Sequence, residues 1–163
     1  MVIEHPTSAF EQTATLCYIF DDEEVLLIWK KRGIGAQQYN APGGKIEPHD
    51  DSPKAAAKRE VYEEVRVEAR DLERVGKLAF VFGDSPFMLG YVFNTTTYRG
   101  DPTETAEARP EWFHVSEIPY DKMWADDRYW MPAMLAGERF AGQFNFDHEG
   151  NSLLDWDLEI LAE

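Results

Sequence analysis

GGKIEPHDDSPKAAAKREVYEEVRV, residues 43–67, sets the reading of the whole chain. Two glycines open it, an acidic loop follows, and the rest has the pattern of a helix. Ser52-Pro53 is a strong helix start, with Ser as N-cap and Pro at the first helical position. From there Ala57, Val61 and Val65 recur every four residues and make one apolar stripe. Glu60 and Glu64 are also four apart, with Glu63 beside them, so a helix stacks three carboxylates on one face, roughly 6 Å apart. Like charges so close repel, and Arg59 is one cation against three. A hard divalent cation that takes oxygen ligands, Mg²⁺ or Mn²⁺, answers that charge. Gly43-Gly44 lets the backbone approach closely, so a main-chain carbonyl could join the same shell. A bare E-x-x-E-E would otherwise be read as an acidic face turned to water.

The full stretch resembles the Nudix box, G-x5-E-x7-R-E-U-x-E-E-x-G-U with U aliphatic. Gly44, Arg59, Glu60, Val61, Glu63, Glu64 and Val67 match it. Three positions depart. The loop between Gly44 and Arg59 is one residue longer, the first Glu is replaced by Asp50 or Asp51, and Arg66 stands where the pattern has Gly. Asp51 keeps the spacing to Arg59, and Arg66 denies the helix an easy left-handed glycine end. The resemblance implies an α/β fold, an α/β/α sandwich with a mixed β-sheet.

Composition agrees with a packed domain. With 163 residues, 44% of them hydrophobic, one domain over 1–163 is expected. A formal net charge of −15 opposes binding of long nucleic acid through bulk electrostatics. A nucleotide could still enter with a metal ion that offsets its phosphates. Cys17 is the only cysteine and sits in an apolar run, so a buried, inert thiol is expected. There is neither a signal-peptide pattern nor an apolar run of membrane-spanning length. A cytoplasmic monomer with no membrane partner is the expectation.

Along the chain, residues 1–12 read as a loose lead-in. Ala14 to Phe20 and Val25 to Lys30 read as strands joined by a turn at Asp21-Asp22-Glu23. Gly33 to Pro42 is a loop into the box. Gly76 to Phe82 and Phe87 to Tyr98 read as a strand pair, Gly100 to Ala108 as an acidic loop, and Glu111 to Val115 as a short strand. Asp126 or Asp127 can cap a helix that Gly137 stops. Phe140, Phe144 and Phe146 share one face of a further strand. Leu154, Trp156, Leu158 and Ile160 alternate with acids in the last. Strands on both sides of the box helix, plus a late helix, point to a mixed sheet between helices.

A second constellation is MWADDRYW, Met123 to Trp130, with two adjacent carboxylates among aromatics. Acids at a helix N-terminus are also favoured by its dipole alone. Here the chain is similar to the mammalian-type oxidised purine nucleoside triphosphate hydrolases, the 8-oxo-dGTP diphosphatases. The similarity runs over WKKRGIGAQQYNAPGGK, VGKLAFVF, EARPEWF, IPYDKMWADDRYWMP and FAGQFNF. It implies that Asn40, Asp126 and Asp127 read a purine with Trp124 stacked on it. It also implies that Thr15, Leu16, Lys30, Phe80 and Met88 line the pocket. Mg²⁺ would be held by Glu60, Glu63, Glu64 and the Gly44 carbonyl, with Glu107 as an outer ligand. Arg59 would hold the carboxylates, and Glu63 or Glu107 would take the proton from water. Ile34 replaces the aromatic after K-K-R-G and Ala108 the Met before R-P. Independently of any name, two carboxylates this close in an apolar pocket do not both ionise readily. One holding a proton becomes a donor, and Asn40 adds both a donor and an acceptor. A Nudix hydrolase of another substrate, or a non-catalytic nucleotide-binding module, are the alternatives.

Overall fold

In the computed structural model, which describes residues 2–162, eight strands form one mixed sheet with a helix on each face, and two short strands pair in a separate small sheet. β1 (Gln12–Asp21) and β2 (Glu24–Lys30) form the first hairpin, and β3 (Tyr39–Asn40) follows. α1 spans Pro53–Val65. β4 (Glu68–Arg70), β5 (Glu73–Phe82), β6 (Ser85–Thr95), β7 (Thr97–Arg99) and β8 (Ala108–His114) come next. α2 (Asp127–Leu135), β9 (Arg139–Phe146) and β10 (Leu153–Leu161) close the chain. The sheet order is β10-β9-β5-β6-β1-β2-β3, with β8 on the other edge of β2. The β1–β6 and β5–β9 pairs are parallel and the remaining pairs antiparallel. Among the described residues no helix is long and apolar enough to cross a membrane.

Alternation along the strands sorts the core onto two faces. Cys17, Ile19, Leu26 and Ile28 pack against Ala57, Val61 and Val65 of α1. Tyr18, Val25 and Leu27 join Leu78, Phe140, Phe144 and Phe146 under Trp130, Met131 and Met134 of α2. A 13-residue helix as charged as α1 is marginal alone, so its apolar stripe against the sheet holds it. Cys17 is fully buried, and burial pushes its thiol up to about 12, so it stays neutral.

The ends of α1 divide between expectation and surprise. Ser52 caps it, its hydroxyl accepting the Ala55 N–H at 3.1 Å. At the other end Arg66 adopts the left-handed conformation, φ 61°, that a glycine would take more easily. That strain costs about 1–2 kcal/mol. It is partly offset where the Arg66 N–H closes the helix onto the Tyr62 carbonyl at 2.9 Å. The guanidinium also lies 5.5 Å over the Tyr62 ring, a contact worth about 0.5–1 kcal/mol at an exposed site. The lead-in is docked rather than loose: Phe10 is buried, and the Glu4 N–H donates to Gln143 on β9.

One departure from a regular sheet positions everything that follows. β1 and β2 pair only beside their turn, Phe20 with Val25 and Asp21 with Glu24. Beyond that they splay, and residues 39–46 fill the gap. Tyr39 and Asn40 bond to β2 on one side. On the other side Cys17 N–H donates to the Pro42 carbonyl, Thr15 N–H to the Gly44 carbonyl, and Ile46 N–H to the Thr13 carbonyl, at 2.8, 2.8 and 2.9 Å.

Candidate active site

The inserted segment brings the glycine pair under the acidic face of α1. A Cβ on Gly43 would stand 2.0 Å from the Thr15 carbonyl oxygen, and one on Gly44 2.5 Å from Glu60 Oε2. At 43 only glycine fits, because the clash is with backbone; at 44 a side chain would push the Glu60 carboxylate aside. Gly43 N–H donates to Glu64 Oε1 at 2.8 Å. Glu64 is 5% exposed, and burial raises its carboxyl to about 8 despite that bond. Glu60 is also raised, first by burial and against the pull of Arg59. The Gly44 carbonyl accepts the Thr15 N–H, so one of its lone pairs is already committed to the sheet.

Arg59 organises the remaining acids. Its Nε and Nη2 clasp both oxygens of Asp50 at 2.8 Å each, and its Nη1 donates to Glu60 at 2.7 Å and to Glu63 at 3.3 Å. Asp50 also accepts the Glu47 N–H at 2.8 Å. The Arg59 hydrogen bonds hold the Asp50 carboxyl well below its usual range. Asp50, not the Asp51 that keeps the spacing, therefore occupies the place beside Arg59; Asp51 is exposed. The extra loop residue shifts the register by one.

Glu107 is ion-paired with Arg32, which lowers its carboxyl. The Lys30 ammonium lowers Glu60, Glu64 and Glu107 together, so its charge reaches all three. Among the described residues, no three acidic side chains converge as placed to enclose an ion. Arg59 draws Glu60 and Glu63 one way and Arg32 draws Glu107 another. The donors are nonetheless right in kind: carboxylate oxygens, one of them buried without a cation in contact. Rotation of exposed Glu63 and half-buried Glu107 off their arginines would complete such a set.

From the glycines a cavity of about 230 Å³ runs toward α2. Thr15, Leu16, Lys30, Asn40, Gly44, Phe80, Met88, Trp124, Asp126 and Asp127 all line it. Ile34, the departure after K-K-R-G, lines it as well, and so do Ala14, Tyr18 and Phe82, which the sequence reading does not name. Period two from Leu16 along β1 reaches Ala14 and Tyr18, and that was the available signal. Asn40 spends both amide hydrogens on the loop, donating to the Gly35 and Gln38 carbonyls at 3.0 and 3.1 Å. Its oxygen is left as the acceptor. Trp124 packs parallel to Phe82 at 6.4 Å.

The two aspartates do not serve as helix caps. Asp126 holds the N-cap position of α2, yet its side chain makes no capping bond. Instead Oδ2 accepts the Trp130 indole N–H at 2.9 Å. Oδ1 is fully buried and has no partner. Burial raises both carboxyls, and the charge of Asp126 raises Asp127 further, so the pair retains a proton.

A profile of the NUDIX domain matches residues 11–134. The chain belongs to the Nudix family. The oxidized purine nucleoside triphosphate hydrolase of Danio rerio is 40% identical over 133 residues, 81% of this chain and 85% of that protein. Its namesake from Mus musculus is 37% identical over 145 residues, 88% and 92% of the two chains. The solved MutT protein from Bacillus halodurans superposes with a TM-score of 0.80 at 27% identity, covering 91% of this chain and 97% of that one. Nudix hydrolases generally use divalent metal ions, and the α1 carboxylates are this chain's candidates for holding one.

Within the Nudix box the Asp50–Arg59 clasp makes a test. Partners that orient metal ligands typically contribute 10- to 100-fold to activity. Asp50→Ala should therefore lower kcat about tenfold or more, by freeing Arg59 to hold Glu60 and Glu63 alone. Asp51→Ala should stay within about twofold. Steady-state rates of the two variants decide it, and a larger loss in Asp51→Ala would overturn the assignment.

Proposed function

We propose that this chain hydrolyses oxidised purine nucleoside triphosphates, such as 8-oxo-dGTP and 2-hydroxy-dATP, to the monophosphate and pyrophosphate. The observation that carries the reading is the buried, unpartnered Asp126 Oδ1 in an apolar cavity, beside a second carboxyl that burial and the charge of Asp126 push upward. A buried acceptor without a donor costs about 1–3 kcal/mol. A base edge entering the cavity would supply the donor. The names of the Danio rerio and Mus musculus relatives point the same way.

At the other end of the cavity, Glu60, Glu63 and Glu64 would hold Mg²⁺, or Mn²⁺ in its place, with Glu107 outside them. A bound divalent cation would neutralise phosphate charge and acidify a water. Glu64 is the fixed ligand, buried and anchored by the Gly43 N–H. Arg59 sets the orientation of Glu60 and Glu63. Lys30, at the cavity wall, would turn its ammonium from the carboxylates to the phosphates. Glu63 or Glu107 would take the proton from the attacking water, each of them first loosening its arginine. Residues 1–163 would act as one domain, since β9 and β10 complete the sheet that the family match begins. A cytoplasmic monomer remains the working expectation.

The test is a hydrolysis screen of oxidised, methylated and unmodified nucleoside triphosphates with Mg²⁺. The reading requires oxidised purines to show the highest kcat/KM. Preference for a dinucleotide or a capped RNA end would make this a Nudix hydrolase of another substrate.

A further inference from the structure

Tyr18 lies on β1 two residues beyond Leu16, and both side chains line the cavity. It is 1% exposed and is the only tyrosine among the described lining residues. Its ring meets Trp130 edge-on at 5.6 Å, and Trp130 in turn holds Asp126 Oδ2. The phenol therefore stands on the wall that carries the aspartate pair. Burial first, then the charges of Asp127 and Asp126, keep its hydroxyl protonated. That makes the hydroxyl a donor, yet none of the hydrogen bonds among the described residues uses it; the Trp130 indole beside it donates to Asp126 instead.

Two polar groups of opposite kind thus face the same space unmatched. Tyr18 offers a donor and Asp126 Oδ1 an acceptor. The chemical group that satisfies both is a lactam edge, a ring N–H next to an exocyclic C=O. Oxidation adds such an edge to a purine: N7–H beside the 8-oxo group, or N1–H beside the 2-oxo group of 2-hydroxyadenine. Unmodified adenine has none. We propose that Tyr18 is a specificity-determining residue whose hydroxyl donates to the exocyclic oxo group of a purine, while the neighbouring ring N–H donates to the Asp126–Asp127 pair. The assignment rests on the purine-pocket reading above.

The test is equilibrium binding of two product-like ligands, 2-hydroxy-dAMP and dAMP, followed by tryptophan fluorescence in the wild-type chain and in Tyr18→Phe. Neither metal nor turnover is needed. Removing a hydroxyl that has no partner in the protein should leave the melting temperature unchanged or higher. Tyr18→Phe should weaken 2-hydroxy-dAMP about tenfold and dAMP less than twofold. An equal change in both ligands, or no change in either, overturns the assignment and leaves the ring as packing against Trp130. A wild-type chain that binds neither ligand overturns the purine-pocket reading, and this assignment with it.

Discussion

Glu64→Gln is expected to lower kcat by at least ~100-fold, the usual cost of removing one charged group that stabilises developing charge. The substitution isolates charge from shape. Gln keeps the acceptor for the Gly43 N–H that holds the side chain at 2.8 Å. It removes the negative oxygen that a divalent cation needs. The fold should not suffer, because burial already raises this carboxyl from 4.5 to about 8. The sign follows from proton counting. Between those values the folded, metal-free chain binds a proton that the unfolded chain has lost, so stability falls as pH rises through that window. Gln has no such proton. In a chelator, the melting temperature of Glu64→Gln should equal the wild type's near pH 5 and exceed it near pH 8.5. Near-wild-type turnover with Mg²⁺ would remove Glu64 from the site, whatever the melting curves show.

Asp126→Asn and Asp127→Asn should each change the ratio of kcat/KM between 8-oxo-dGTP and 2-hydroxy-dATP. The two substrates present different edges to a pair that can donate or accept, and an amide fixes which of these it does. A buried mismatch costs about 1–3 kcal/mol per group, or roughly 5- to 150-fold. Dependence on Mg²⁺ should be unaltered, since the pair lies at the far end of the cavity from Gly43 and Gly44. Trp124→Ala should raise KM for both substrates alike, because a stacked ring does not read edges. An unchanged ratio in both aspartate variants would return the pair to a purely structural role.

Much of this site was legible because its signals are local. Ser52-Pro53 placed the start of α1 and the Ala57–Val61–Val65 spacing its buried stripe, and three glutamates on one helix face follow from the same periodicity. The strands β9 and β10 were readable for the same reason. What was hidden depends on distant partners. Spacing alone favoured Asp51 beside Arg59, and only the turn at Glu47–Asp50 shows that Asp50 swings in. The lead-in reads as polar chain, yet Glu4 finds Gln143 139 residues away. The aspartate pair could be read as caps until Trp130, one turn on, proved to hold Asp126. The strands β3, β4 and β7 have two or three residues each, too few for any period to show.

The segment wedged between β1 and β2 works as a gauge. Asn40 and Gly43 are three residues apart, a separation that an extended backbone caps at about 10–11 Å. Bonds to both flanking strands leave that length no slack. A nucleotide that seated its base against Asn40 would have its phosphates measured out along this rule toward Gly43 and the acids of α1. A guest with too short a reach between base and reactive phosphorus would lie in the cavity untouched. Lengthening the rule by one residue should therefore change which phosphorus is attacked before it changes which base is chosen.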